Sequence, residues 1–427
     1  MRVQFQTLGC RLNEAESESW ARCFQAHGLQ IAGETETADL VVLNTCAVTA
    51  EAVRKSRKQI RRIQRANPGA RLVLSGCLAT LEAETLATRA GVDLVVPNQD
   101  KDRLVEIAVR ELSLPSMPTT AAEPAANPLF ARGRQRAFVK VQDGCRYRCA
   151  FCIVTLARGA ERSRPAAEVI AEINRLAGEG IREVVLTGVH LGGWGSDLGM
   201  GLDQLFRAVL ADTDIARVRM GSLEPWELSD GLWQLFENPR LMPHLHLPLQ
   251  SGSDSVLRRM ARRCRTDDFA RIAEQARERV PDFNLTTDII AGFPGETDAE
   301  WRRTMDFVAS VGFGHVHTFT YSAREGTKAA SLPNPVPTEV KRERSREMHD
   351  LSRLMTTETL ARNSGRRMPI LVEGRYGGGS AGDWFGYTPN YLPVRLIADE
   401  GEDLANRILE VQVGPVHQDG DHLIALR

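Results

Sequence analysis

Nowhere do the 427 residues run apolar for the ~18 side chains that a membrane-spanning helix requires, so no membrane partner is expected. The opening segment, MRVQFQTLGCRLNEAESE, lacks the apolar centre of a secretory signal. Net charge is almost nil, with 54 basic and 55 acidic residues, so the chain as a whole is no magnet for polyanions. Low-complexity tracts and short-period repeats are absent as well, which sets aside solenoids. A cytoplasmic protein is the resulting expectation. In a reducing compartment its eight cysteines point to metal binding or catalysis before disulfides.

At roughly 100–200 residues per domain, two to four domains are expected. Residues 1–112 alternate the strand-like runs VQFQTL, DLVVLN, RLVLSG and DLVVP with helical stretches near 14–27, 50–66, 80–90 and 101–112, the pattern of an open parallel α/β domain. A linker over 113–133, containing SLPSMPTTAAEPAANP, marks a boundary. Across 134–362, the runs AFVKVQ, EVVLTG, RVRMGS, HLHLP, NLTTDIIAG and HVHTFTY alternate with helices, which predicts a full or partial (β/α) barrel followed by a charged connecting helix near 338–362. Residues 366–427 change character. PILVEG, LPVRLIA, ILEVQVG and HLIALR, separated by Gly- and Asp-rich turns, read as a small antiparallel β-barrel.

The most specific local signal is Cys145-Arg-Tyr-Arg-Cys149-Ala-Phe-Cys152, a C-x3-C-x2-C run behind the strand AFVKVQ. Three thiolates so spaced hold three irons of a [4Fe–4S] cube and leave the fourth open, whereas a closed zinc site needs a fourth ligand that the neighbouring sequence does not supply. An open iron chelates the amino and carboxylate groups of S-adenosylmethionine (SAM), and this segment resembles the radical SAM superfamily. A second set, Cys10, Cys46 and Cys77, is dispersed, yet each cysteine closely follows a predicted strand. The carboxyl ends of parallel strands share one edge of the sheet, so three thiols would meet there and hold a second [4Fe–4S] cluster. Cys23 falls within a helix and is expected in the core; Cys264 receives no role.

Two basic stretches interrupt the neutral chain: Arg54, Lys55, Arg57, Lys58, Arg61, Arg62 and Arg65; then Arg132, Arg134, Arg136, Lys140, Arg146 and Arg148. Each fits either an RNA contact or a solvated helix face. Arg366, Arg367, Arg375, Trp384, Phe385, Tyr387, Tyr391 and Arg395 give the C-terminal segment the basic and aromatic side chains that single-stranded RNA stacks against, or a small core is built from.

Together the motifs TLGCRLNEAESE, NTCAVTAEAVRKSR, SGCLA and GCRYRCAFCIVTLARGAERSR resemble those of the methylthiotransferase family, in the family's domain order and over nearly the whole chain: cysteine-bearing domain, radical SAM barrel, TRAM-type barrel. Its branches act on threonylcarbamoyladenosine in tRNA, on isopentenyladenosine in tRNA, or on an aspartate of a ribosomal protein. The tripeptide Arg11-Leu12-Asn13 and the stretch from Asn44 to Cys77 look most like the first branch. The resemblance implies two [4Fe–4S] clusters, SAM as methyl donor and radical source, a sulfur source, a cellular electron donor, and a tRNA anticodon loop whose modified adenosine at position 37 is methylthiolated at C2. An RNA-binding protein with purely structural clusters is the alternative from another class. Site expectations follow from the barrel loops: Phe151, Thr187, Gly188, Gln250, Ser251 and Asp288 for SAM; Arg158 and Arg162 for a SAM carboxylate or RNA phosphate; Arg366, Arg367 and Tyr391 for RNA. The chain departs from the pattern at Thr155-Leu156, where many relatives have Pro-Tyr. It departs again at Thr187-Gly188-Val189-His190, where a Gly-Gly-Glu type motif is usual and no acidic side chain stands.

Overall fold

The computed structural model describes residues 1–33, 36–89, 91–115, 135–377, 382–399 and 401–426. Most of the expected linker, with Arg132 and Arg134, lies outside them. Five parallel strands open the chain: β1 (Arg2–Thr7), β2 (Gln30–Ile31), β3 (Leu40–Thr45), β4 (Arg71–Gly76) and β5 (Leu94–Val96), in the order β2-β1-β3-β4-β5. Leu40 to Leu43 are fully buried because both faces of the sheet are covered. Helix α1 (Arg11–Ala26) lays Trp20, Ala21 and Phe24 against Val3, Leu40, Val42 and Val73. Helix α2 (Ala50–Ala66) lays Val53, Ile60 and Ile63 against Val41, Leu43, Leu72 and Leu74 on the opposite face. The spacing of those three in α2 gives one apolar stripe, and Thr49 caps the helix by accepting from the Ala52 amide at 3.0 Å.

The central segment contributes β6 (Arg136–Lys140), a short ribbon of β7 (Gln142–Asp143) with β8 (Arg162–Ser163), then β9 (Glu183–Thr187), β10 (Arg217–Met220), β11 (His244–His246), β12 (Asn284–Ala291) and β13 (His315–Thr320). Two parallel three-stranded sheets, β10-β9-β6 and β11-β12-β13, meet through the Val218–Leu241 bridge. The result is a six-stranded arc, a partial barrel with β6 and β13 at its free edges. Alternate residues (Ala137, Val139, Val184, Leu186, Val218, Leu245, Leu285, Ile289, Val316) pack into the core under the helices. The period of two sends Phe138, Lys140, Thr187, Arg219, His246, Asp288 and His317 to the concave side.

The helix Thr338–Asn363 leads from this arc, with Met348 and Met355 in its core, to Leu360 in the core of the last unit. There β14 (Arg367–Arg375), β15 (Asp383–Tyr387), β16 (Pro393–Ile397), β17 (Ile408–Val416) and β18 (Leu423–Leu426) close a small barrel in the order β14-β15-β16-β18-β17. β15 was not among the expected strands. Gly386 sits in its middle because a Cβ there would lie 2.3 Å from the Leu371 carbonyl of the paired strand. This barrel docks on the amino ends of the arc's strands: Arg217 donates to the Pro369 carbonyl at 2.7 Å, Arg219 to the Pro389 carbonyl at 3.0 Å, and Arg136 pairs with Glu373. No helix among the described residues is long and apolar enough to cross a membrane.

Candidate active site

Cys10, Cys46 and Cys77 follow β1, β3 and β4, which are adjacent in the sheet. Thr45 and Gly76 are partners across the β3–β4 ladder, so the two cysteines that come next stand side by side at its carboxyl edge. Gly76 has φ +92°, and a Cβ on it would sit 2.4 Å from both the Thr45 carbonyl oxygen and Asn44 Oδ1; only glycine allows the chain to turn so close to its neighbour. Surrounding protein pushes the Cys46 thiol up to about 11, and the neighbouring Cys77 and Cys10 add to the rise. Cys10 is raised in the same way, with Arg158 opposing. Thiols near enough to disfavour one another's charge fit a site that a multivalent metal group completes.

The second set sits on the loop after β6 and β7. Gly144 precedes it with φ +71°, and a Cβ there would lie 1.9 Å from the Ala160 carbonyl, so the loop folds tightly back on itself. The Cys152 amide donates to the Cys149 carbonyl at 3.1 Å, and the Val154 amide to Cys152 Sγ at 3.4 Å. Burial pushes Cys145 up to about 12 and Cys152 to about 11, again with the other thiols of the set adding to the rise. Arg262 approaches Cys149 Sγ at 3.7 Å and is held there by Glu224 at 2.8 Å, which gives Glu224 a defined role behind the loop. Arg262 and Glu224 are committed to each other behind the thiol set. Glu161 and His190 do lie within 4.8 Å of Cys145 Sγ, although far from it in sequence. Both ring nitrogens of His190 are engaged, one by Glu161 and one by Glu227. Burial opposes charge on His190, and the two carboxylates outweigh it and raise its pKa. Acidic side chains thus do stand beside the β9 motif, brought there by other loops, which the local sequence did not reveal. Tyr147 joins them, donating to Glu227 at 2.9 Å and accepting from Trp226 at 2.8 Å.

A buried ion cluster ties the two cysteine loops together. Arg158 bonds Glu16 at 2.8 Å, Asp143 at 3.1 Å and Asn13 Oδ1 at 2.6 Å, while Lys101 forms ion pairs with the same Glu16 and Asp143 at 2.6 and 2.5 Å. Asn13 faces Cys10 at 3.7 Å, Asp143 lies two residues before Cys145, and Asn98 links the Ala157 carbonyl at 2.8 Å to the surroundings of Cys77. Arg158 is therefore not the free cation expected for a SAM carboxylate or a phosphate. It is 6% exposed and already paired with two acids. Lys140 and Arg136 likewise leave the expected basic patch for ion pairs, Lys140 with the exposed Asp102 and Arg136 with Glu183 and Glu373. Arg162 remains exposed at the end of the loop, as do Arg146 and Arg148.

Of the residues expected to meet SAM, Thr187 and Gly188 end β9 beside Gln142, whose side chain accepts from the His190 amide at 2.9 Å and donates to the Gly144 carbonyl at 2.8 Å. Gln250 adopts φ +76°, a left-handed conformation unusual for a side-chain-bearing residue, and its amide donates to the Asp288 carbonyl at 2.8 Å. Asp288 faces the concave side and meets His246 at 3.2 Å. Ser251 is a correction: it is fully buried and bonds Thr304 at 3.2 Å, a packing role. Phe151 packs on the cluster of Ala150, Val256, Met260, Phe293 and Ala329. Cys264 is buried, whereas Cys23, expected in the core, lies exposed on α1.

The basic residues of α2 are all exposed, with Lys55 paired to Glu51 and Arg57 to Glu82 at 2.8 Å each. In the last barrel Arg367 is exposed and Arg366 pairs with Asp282. Trp384 is core, and Tyr391 stacks on Tyr387 at 4.7 Å, turned toward the arc rather than out to solvent.

A profile of the uncharacterized protein family UPF0004 matches residues 2–97, and one of the radical SAM superfamily matches residues 139–308. The chain is 34% identical over 426 residues to the threonylcarbamoyladenosine tRNA methylthiotransferase MtaB of Bacillus subtilis, covering 96% of this chain and 93% of that protein. It is 38% identical over 398 residues to the tRNA-2-methylthio-N(6)-dimethylallyladenosine synthase of Novosphingobium aromaticivorans, covering 90% and 89%. Among solved structures, the radical S-adenosylmethionine methyltransferase TsrM from Kitasatospora setae matches with a TM-score of 0.58 at 16% identity, over 77% of each chain, which is a likeness of fold.

Proposed function

The chain belongs to the methylthiotransferase family of radical SAM enzymes, and we propose that it converts N6-threonylcarbamoyladenosine at position 37 of tRNA into its 2-methylthio derivative. The observation that carries the methylthio-transfer chemistry is the pair of three-thiol sets, one at the carboxyl edge of the N-terminal sheet and one on the loop after β6 and β7, joined by a buried ion cluster, and the threonylcarbamoyl nucleoside is favoured by relatives such as the Bacillus subtilis protein. SAM and a [4Fe–4S] cluster are the family's cofactors. Cys145, Cys149 and Cys152 would hold that cluster, and Cys10, Cys46 and Cys77 a second one. When bound, these groups supply radical generation from SAM and the methylated sulfur to be transferred.

The protein's own side chains bind, orient and shield. Arg262, fixed by Glu224, backs Cys149 Sγ at 3.7 Å. Gln142 locks the end of β9 to the cysteine loop, where Thr187 and Gly188 would present backbone to SAM. Gln250 and Asp288 line the same rim. The Arg158–Glu16–Asp143–Lys101 cluster fixes the spacing of the two thiol sets, on which a transfer between them depends. The exposed cations of α2, with Arg162 and Arg367, suit the phosphate backbone of an anticodon arm. The proposed domains are 1–112, 134–362 and 366–427. A sulfur source and a cellular electron donor complete the reaction.

A second reading keeps the chemistry and takes isopentenyladenosine, on the strength of relatives such as the Novosphingobium protein. Mass spectrometry of tRNA nucleosides from cells with and without the gene separates the two. Loss of 2-methylthio-N6-threonylcarbamoyladenosine, with its precursor accumulating, supports the first. Loss of the methylthio-isopentenyl nucleoside instead supports the second.

A further inference from the structure

Below the concave side of the arc, three parts of the chain enclose a cavity of about 140 Å3. Arg11 comes from the start of α1, directly after Cys10; Gln135, Arg136 and Phe138 come from the free edge strand β6 and the residue before it; Glu373, Tyr387 and Tyr391 come from the last barrel. The two tyrosine rings stack at 4.7 Å with 13° between their planes. Arg136 lies over both, at 4.9 and 5.0 Å, and is committed to Glu183 and Glu373.

Two groups in this cavity lack strong partners. Gln135 is 8% exposed, yet its side-chain oxygen accepts no hydrogen bond among the described residues. A buried acceptor left so is costly and points to a donor that arrives from outside. Arg11 lies over the Phe138 ring at 5.1 Å, and its one acid among the described residues is Glu14, a helix neighbour at 3.0 Å. Its side chain keeps 61% of its exposure, so that pair is readily exchanged for a better one.

We infer that this cavity receives the N6 substituent of the target nucleoside, with Arg11 binding its carboxylate and Gln135 accepting from its urea N–H. The inference rests on the threonylcarbamoyl reading and names the residues that set specificity within it. A threonylcarbamoyl group carries one carboxylate, urea N–H donors and a small hydroxyethyl arm. The cavity offers a guanidinium, an unused acceptor and aromatic faces for each in turn. An isopentenyl group brings neither the carboxylate nor the outer urea N–H, so it would leave Arg11 unmatched and offer Gln135 only the N6–H, and a site built for polar groups rejects an apolar analogue strongly. The position agrees with the chemistry. Arg11 follows Cys10 directly, which ties the cavity to the N-terminal thiol set.

The test is binding of anticodon stem–loops to the full-length reconstituted protein. The probes carry at position 37 threonylcarbamoyladenosine, its carboxylate methyl ester, or isopentenyladenosine. Wild type is expected to prefer the acid over the ester by about tenfold, the scale of one charge-assisted contact. R11Q brings that ratio to within about twofold, R11K preserves it, and Q135L weakens the acid and the ester alike. Unchanged thermal unfolding of each variant shows that the fold is kept. An R11Q protein that keeps the wild-type ratio overturns the pocket assignment alone. A wild type that binds the isopentenyl probe more tightly than the acid overturns the substrate reading and the inference with it.

Discussion

Arg158 Nη1 and Glu16 Oε1 meet at 2.8 Å across the seam between the N-terminal sheet domain and the barrel, with both side chains 2% exposed. This contact, shared with Lys101 and Asp143, places the Cys10 region and the Cys145 loop on one rigid frame. Glu16 is one of two acids facing three cations (Arg158, Lys101 and Lys140). Burial pushes its carboxyl up, but those cations outweigh it and hold the pKa at about 2.

E16Q therefore removes charge that the cations need, not merely one bond. Breaking a buried pair from one side leaves its partner uncompensated, at a cost of about 3–5 kcal/mol. Denaturant unfolding of the full chain should show a loss of that size. A loss no larger than that of an exposed control such as E51Q would mean that the cluster does not hold the seam.

The floor of the barrel predicts a pH dependence. Burial raises the Glu183 carboxyl, but Arg219, Arg136 and Arg217 outweigh it and hold its pKa at about 2. A folded-state pKa below the ordinary 4.5 means stability that is complete above 4.5 and lost as the pH falls toward 2. Thermal unfolding should stay flat from neutral pH to about 5 on account of this group and decline below it, with a shallower decline in E183Q. Equal slopes in the two proteins would remove Glu183 from the acid response.

Much of this arrangement was legible in the sequence, and the reasons are local. Strands β1, β3 and β4 follow from short apolar runs, and a cysteine directly behind each strand fixes which edge it reaches. The C-x3-C-x2-C run is contiguous, so it needed no tertiary knowledge. Arg158 was not legible, because Glu16 lies 142 residues away and only the fold brings them together. Nor were Glu161 and Glu227, which flank His190 from separate loops. β15 was hidden by its glycine, and the stacked tyrosines resemble an open RNA platform in sequence because nothing around them there says that the arc covers them. Ser251 sits at a strand end like its neighbour Gln250, yet the chain turns its hydroxyl inward to Thr304.

RNA binding should depend on α2. Arg61 and Arg62 are exposed with no acid paired to them among the described residues. The R61A/R62A double variant is expected to weaken tRNA binding irrespective of the base at position 37. It should also flatten the dependence of log Kd on log salt, by roughly 0.7–0.9 for each phosphate that the variant no longer neutralises. Filter binding over a salt series reads both. An unchanged slope would place the RNA elsewhere.

The two thiol sets divide the labour in this reading, and C46A separates their parts. With reconstituted protein, SAM, reductant and threonylcarbamoyladenosine-containing tRNA, 5′-deoxyadenosine and methylthiolated nucleoside are measured in the same reaction. C46A should still form 5′-deoxyadenosine, because Cys145, Cys149 and Cys152 are intact, while the methylthio product disappears. Continued formation of that product without Cys46 would contradict this division of labour.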